Sequence, residues 1–290
     1  MAVIATGFFD GVHPGHRLVI DTLVREAAAR GEEAVVVTFW PHPRAVLQNG
    51  ADSLRYLTSR QEKDALLRSL GVDRVETVAF TRKFASLSVR GYLDMLRRDY
   101  ACSTLVLGYD TRFGAEQAGP EAISAEAAAL GIATVVAPAV EVEGGAVSSS
   151  RIRTALEKGD VAAAATLLGR PYRLHGVVVS GNRIGRTIGF PTANMKLYEP
   201  LMLVPANGVY HTRVSVLGGV YDGLTNIGVR PTVGGSSLTI ETHILGFDEM
   251  IYGLDITLDF VRRIRDERHF PSLEALRAQL QADAASILFK

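Results

Sequence analysis

The chain has 290 residues, 47% hydrophobic and 21% charged, with 31 basic residues against 31 acidic ones. That supplies a core for one large domain or two ordinary ones and excludes disorder by composition. The charge balance gives no reason to invoke nucleic acid or a membrane surface, and a lone cysteine, Cys102, excludes an intramolecular disulfide and a cysteine-built metal site.

The first half alternates short apolar runs with helical patterns. AVIAT (2–6) reads as a strand, and RLVIDTLVREAAAR (17–30) carries apolar residues at helical spacing. EAVVVTFW (33–40) is a continuous run of the kind buried on both faces of a sheet. In TSRQEKDALLRSLG, Ser59 and Glu62 have capping-box spacing and Gly71 is a stop. VETVAF, a helix near SVRGYLDMLRRD, STLVLG (103–108), a helix near PEAISAEAAALG and ATVVAP (133–138) complete the series. Strand and helix alternating at this spacing predict right-handed βαβ units and a parallel sheet. TALEKGDVAAAATLLGRP (154–171) holds two short helical patterns at the seam. After about Arg170 the texture changes. YRLHGVVVSG, GVYHTRVSVLGG, VYDGLTNIG, SLTIETHILG and DITLDFVRRI read as short strands between Gly- and Pro-bearing turns, which predicts an antiparallel sandwich or barrel. SLEALRAQLQADAASILF (272–289) closes the chain as a helix. No apolar stretch approaches the ~20 residues of a membrane span, and the run after Met1 is too short for a signal peptide, so a cytoplasmic protein is expected.

TGFFDGVHPGH, Thr6 to His16, follows the first strand directly. Ligands of a parallel sheet sit beyond the carboxyl ends of its strands, so a binding loop belongs here. Glycines allow close backbone approach, and the next helix offers free N–H groups to an anion. His13 and His16, three apart at the helix entry, are spaced to point the same way. Together these groups describe a polyphosphate site whose imidazoles meet the charge that builds during transfer. A zinc half-site is the weaker reading, because no cysteine or nearby histidine pair completes it. The chain has neither G-x-G-x-x-G nor a Walker A loop.

GFFDGVHPGH resembles the histidine-glycine-histidine signature of the nucleotidyltransferase superfamily, in the form seen in bacterial flavin adenylyltransferases. TFWPHPRAVL (38–47) is similar to the Pro-His-Pro segment of that branch, and LVLGYDTRFG (105–114) resembles the strand feeding its adenine and ribose pocket. VSSSRIR (147–153) resembles its Ser-Ser-x-x-Ile-Arg loop. That loop also makes sense unaided, since Ser148 to Ser150 cap a helix and Arg151 and Arg153 add charge suited to phosphate. The resemblance implies transfer of AMP from ATP to FMN, giving FAD and pyrophosphate, with Mg²⁺ shielding the triphosphate. It implies His13 and His16 as catalytic residues, with Gly7, Phe8, Asp10, Gly15, Asp110, Ser149 and Arg153 around ATP. Pro41, His42, Pro43 and Phe113 fall on the flavin side. Three features depart from the pattern: strand 1 begins almost at Met1, Thr111 stands where an aromatic is common, and AEQAG puts Glu116 and Gln117 where basic residues are common. The last implies a weaker positive field beside the nucleotide.

GNRIGRTIGFPTANM is the second dense stretch, with Gly181, Gly185 and Gly189 at four-residue spacing and Arg183 and Arg186 between them. The glycines suggest a flexible cover over a ligand, and Pro191 fixes the backbone that presents Thr192 and Asn194 together. Hydroxyl and amide oxygens suit a hard cation such as Mg²⁺, although an ordinary hairpin loop fits the same residues. TNIGVRPTVGG (225–235) and IETHILGFDEMIYG (240–253) complete a pattern similar to riboflavin kinases, β-barrel enzymes outside the P-loop class. That resemblance implies a Mg²⁺–ATP site lined by the three glycines, both arginines and Thr192, with Thr192 and Asn194 as metal ligands. It implies Glu241 as general base for the ribityl 5′-hydroxyl and puts RIRDERHF (263–270), with Arg265, on the flavin side.

The resemblance runs nearly end to end, to bacterial bifunctional riboflavin kinase/FMN adenylyltransferases. It implies a Rossmann-like α/β adenylyltransferase domain over 1–168 and an antiparallel β-barrel kinase domain with a C-terminal helix over 169–290. The expected partners are riboflavin, FMN and ATP, with Mg²⁺, and neither nucleic acid nor membrane; a homo-oligomer is left open. Two alternatives stand beside it: a monofunctional kinase with a regulatory N-terminal domain, and a non-catalytic flavin- or nucleotide-binding regulator. Both histidines, the PTAN turn and Glu241 argue against the second, because simple binding needs neither a base nor a transition-state clamp.

Overall fold

A computed structural model describes residues 1–47, 54–181, 189–232 and 235–288. The chain forms two compact units, Met1–Ser149 and Ser150–Lys290.

In the first unit, β1 (Ala2–Thr6) leads into α1 (Pro14–Arg30), then β2 (Glu33–Trp40), α2 (Pro43–Leu47) and α3 (Arg60–Ser69). β3 (Arg74–Ala79), α4 (Arg82–Ala85), α5 (Val89–Tyr100) and β4 (Cys102–Gly108) follow. α6 (Pro120–Ala129), β5 (Ala133–Ala137) and a small hairpin of β6 (Glu141–Val142) and β7 (Gly145–Ala146) complete it. The sheet order is β3-β2-β1-β4-β5, all parallel. β1 is buried along its whole length because helices cover both faces of the sheet. Ala2 and Ile4 join Leu93 and Leu96 of α5 on one face, while Val3 and Ala5 join Ile20 and Leu23 of α1 on the other. The order reverses between β1 and β4. That switch point opens a crevice at the carboxyl ends of the two central strands, where the Gly7–His16 segment begins.

The second unit starts with α7 (Ser149–Glu157, whose first residue closes the first unit) and α8 (Val161–Leu168). β8 (Tyr172–Val179), β9 (Ala193–Leu197), β10 (Gly208–Val216), β11 (Gly219–Thr232), β12 (Gly235–Ile244) and β13 (Asp255–Arg265) close an antiparallel barrel in the order β10-β11-β12-β9-β8-β13. Alternation along β8 sends Tyr172, Leu174 and Val178 inward. The open choice between sandwich and barrel therefore resolves as a barrel. α9 (Leu273–Leu288) lays Ile287 against Val209 and Leu224. The composition shift near Arg170 marks the start of the barrel strands, whereas α7 and α8 cluster with the barrel ahead of it.

Candidate active sites

The loop after β1 is built under strain. Phe9 and Val12 have φ of 54° and 41°, with Gly11 at 84° between them. Such backbone is costly for residues with a Cβ and persists only where neighbours over-determine it. Here they do. The Asp10 carboxylate accepts from Leu57 N at 3.0 Å and Thr58 N at 3.2 Å, and Gly11 N donates to Thr58 Oγ1 at 3.1 Å. Ser149 Oγ donates to the Asp10 carbonyl at 2.9 Å, and Lys63 Nζ to the Phe8 carbonyl at 3.0 Å.

α1 begins where that loop ends. His13 is its N-cap and accepts from His16 N, and Pro14 occupies the first turn. The His13 and His16 rings stack with centroids 3.6 Å apart and planes 18° from parallel. The predicted pair is thus a pair in fact, at the N-terminus of a 17-residue helix. Burial first, then His13 and Lys63, hold His16 well below its ordinary value of 6.5, so its ring is neutral near pH 7. His16 Nδ1 is buried and finds no hydrogen-bond partner among the described residues. Gly15 lies close under His13, where a Cβ would come within 3.2 Å of the ring.

Two further segments approach the loop. His42 accepts from Arg44 N at 3.0 Å and lays its ring 4.2 Å from that of Phe8, so Pro41–Pro43 is joined to the loop through His42. Beyond β4, Thr111 Oγ1 accepts from Gly108 N at 2.8 Å, which closes a tight turn and leaves Asp110 exposed. Phe113 packs edge-on against Tyr92 at 5.0 Å. Glu116 has a partner inside the protein. Its carboxylate accepts from Val89 N at 3.1 Å and caps the start of α5. Its charge thus answers a helix N-terminus.

In the barrel, strand register does the assembling. Asn194 of β9 stands opposite Glu241 of β12, and Glu241 stands opposite Asn226 of β11. Asn226 Nδ2 donates to Glu267 Oε1 at 3.4 Å, and Gly228 makes room for that carboxylate, since a Cβ there would lie 2.1 Å from it. Thr192 and Asn194 line a cavity of about 190 Å³ with Gly181, Pro191 and Thr242. Gly181 is required for close approach: its Cβ would fall 2.2 Å from Asn194 Nδ2. His243 Nδ1 donates to the Pro191 carbonyl at 2.8 Å and fixes the turn. Gly189 sits at φ 81°, a left-handed conformation that suits glycine. Arg183, Gly185 and Arg186 lie outside the described residues. Arg265 is committed within the protein. It donates to Asp283 of α9 at 2.9 Å and to the Asp266 carbonyl at 3.0 Å, so it pins the closing helix to the barrel.

Residues 1–151 match the family model described as FAD synthetase, and residues 168–288 the model described as riboflavin kinase. The bifunctional riboflavin kinase/FMN adenylyltransferase of Bacillus subtilis (strain 168) is 37% identical over 290 residues, covering 97% of this chain and 90% of the relative. The chain belongs to the bifunctional riboflavin kinase/FMN adenylyltransferase family. The member from Escherichia coli (strain K12) is 37% identical, again over 97% of this chain and 90% of its own. A solved Streptococcus pneumoniae structure, described as a macrolide-efflux protein, matches with TM-score 0.92 and 32% identity over 98% of this chain and 92% of that one. The efflux description is that protein's own; no helix among the described residues here is long and apolar enough to cross a membrane.

Sequence reasoning passed over Lys63 and Thr58, which hold the loop after β1, and Asn226 and Glu267, which meet beside Glu241's strand. Lys63 carried a signal, because it falls on the same helical stripe as Leu66, Leu67 and Leu70. Asn226 sits within β11 and Glu267 follows β13, so they meet only in the closed barrel and carried none.

Proposed function

We propose that the chain makes FAD from riboflavin in two ATP-dependent steps, one in each unit, with 1–168 and 169–290 as the functional segments. The observation that carries this reading is the stacked His13–His16 pair at the head of α1, on a loop held at the switch point of a parallel sheet. In the first unit an FMN phosphate oxygen attacks the α-phosphorus of ATP, the bond from that phosphorus to the bridging oxygen breaks, and pyrophosphate leaves. The phosphate is already a nucleophile, so positioning and charge stabilisation suffice. His13 and neutral His16 donate to the phosphates, the backbone of Gly7, Phe8 and Gly15 lines the nucleotide, and Asp110 stands beside adenosine. Ser149 and Arg153 serve the phosphates, and Pro41, His42, Pro43 and Phe113 the flavin. Asp10 acts through the loop, because its carboxylate is engaged with Leu57 and Thr58.

In the second unit Glu241 takes the proton of the ribityl 5′-hydroxyl, whose oxygen attacks the γ-phosphorus of ATP as ADP leaves. Gly181, Arg183, Gly185, Arg186, Gly189 and Thr192 surround that ATP, and Arg265 serves the flavin side by holding α9. Thr192 and Asn194 fit a hard cation that arrives with the nucleotide. Their oxygens are neutral ligands, and among the described residues no group of three His, Cys, Asp or Glu is placed to hold a metal ion. When bound, Mg²⁺ supplies charge shielding of the phosphates. We place the protein in the cytoplasm, with small molecules rather than nucleic acid or membrane as partners.

Chromatography of products from riboflavin, ATP and Mg²⁺ tests the reading: wild type yields FMN and FAD. His16→Ala stops FAD formation from FMN and spares FMN formation, and Glu241→Gln does the reverse. Loss of both activities from either folded variant refutes the two-site assignment. FMN alone from wild type leaves a monofunctional kinase.

A further inference from the structure

Lys63 is a charged residue on an apolar stripe. It lies on α3 in line with Leu66, Leu67 and Leu70 and is 2% exposed. A buried ammonium is expensive unless its protons have partners. Nζ donates to the Phe8 carbonyl at 3.0 Å and to Thr38 Oγ1 at 3.0 Å, and it sits 4.1 Å from the centre of the Phe8 ring. An ammonium has three donors, and two bonds plus a ring face occupy them. Lys63 therefore acts through the loop and touches no substrate itself.

The entry to α3 clamps the strained loop at both ends. Lys63 takes the carbonyl of Phe8, immediately before the left-handed Phe9, while Leu57 and Thr58 take Asp10 and Gly11. An uncharged donor would satisfy the same carbonyl. The charge finds its reason in what the loop presents, a pair of imidazoles of which Lys63 helps to keep His16 neutral.

We propose that Lys63 is a positioning residue of the adenylyl-transfer site: it fixes the Phe8–His13 loop through the Phe8 carbonyl, and its charge sets the field in which the His13–His16 pair meets the triphosphate. This rests on the adenylyl-transfer reading of the first unit. The charged groups around it are Asp10 from the loop and Asp64 and Arg60 from α3, with neutral His16 facing it from α1. Burial outweighs the two carboxylates and brings the ammonium from 10.5 to about 8. The wild-type rate of FAD formation from FMN is accordingly expected to fall as pH rises through about 8.

The test compares wild type, Lys63→Met and Lys63→Arg in full pH profiles of FAD formation from FMN. FMN formation from riboflavin in the same buffers reports folded protein and the state of Mg²⁺–ATP. Lys63→Met is expected to keep FMN formation, to lose about tenfold or more in kcat/KM for FAD formation near neutral pH, and to show no alkaline fall. Lys63→Arg keeps the charge and moves the fall to higher pH. Should Lys63→Met not fold, the wild-type and Lys63→Arg profiles decide. A Lys63→Met rate within about twofold of wild type overturns the proposal, as does a flat wild-type profile or a fall that stays in place in Lys63→Arg. A wild type that forms FMN but no FAD at any pH sinks the adenylyl-transfer reading itself, a result distinct from the others.

Discussion

At His16, burial, the His13 ring and the Lys63 ammonium oppose protonation in that order of weight. In the unfolded chain the same imidazole titrates at its ordinary value near 6.5. As pH falls below that value the unfolded chain takes up a proton that the folded unit refuses. The unfolded state then binds more protons, so stability declines with falling pH, by at most about 1.4 kcal/mol per pH unit for one group. The loss stops growing once pH drops below the folded value, where both states are protonated. Trp40, the single tryptophan of the chain, lies in the first unit and reports its unfolding. Urea titrations followed by Trp40 fluorescence are expected to show a midpoint that falls between about pH 7 and pH 5, and falls less in His16→Gln. Equal declines in the two proteins exclude His16 as the source. The same residue shows what sequence alone conveys: the spacing of His13 and His16 displayed the pair, whereas its neutral state needed the packing of α1 against the loop.

Elements follow a similar division. The parallel sheet was legible because strands covered on both faces are apolar at every position, and EAVVVTFW leaves no other reading. β9 was not legible, because ANMKL is short and stands beside Pro and Gly, which reads as a turn. Yet the strand begins directly after Thr192, which lines one cavity with Asn194, and register puts Asn194 against Glu241. The motif marks Arg265 as a flavin-side residue, and the folded barrel adds that its guanidinium is engaged with Asp283 of α9. Asp283 is 3% exposed and also accepts from Gln279 Nε2 at 2.7 Å. Removing one partner of a buried pair strands the other charge, at a cost of about 3 kcal/mol. Asp283→Ala is therefore expected to lower the unfolding midpoint of the barrel, measured by far-ultraviolet circular dichroism in urea. Replacing both Arg265 and Asp283 by leucine recovers most of the loss, since no charge is then left buried. A double variant as unstable as Asp283→Ala contradicts the clamp.

For the whole molecule, the informative fact is that the histidine loop and the Asn194–Glu241 pair are organised on different sheets in different units. The strained loop and histidine pair rest on the parallel sheet, while Asn194, Glu241 and Asn226 are aligned by barrel register. The product of the barrel step is the substrate of the sheet step, so FMN has to leave one site before it enters the second. Two singly disabled proteins then complement each other. His16→Ala makes FMN and cannot use it; Glu241→Gln uses FMN and cannot make it. An equimolar mixture of the two, given riboflavin, ATP and Mg²⁺, is expected to form FAD after a lag during which free FMN accumulates. The lag shortens as both proteins are raised together, because a released intermediate is recaptured at a rate set by concentration. Time courses by chromatography read both species. A mixture in which FMN stays bound to His16→Ala and no FAD forms, although Glu241→Gln converts added FMN, would show that FMN passes between sites only within one chain.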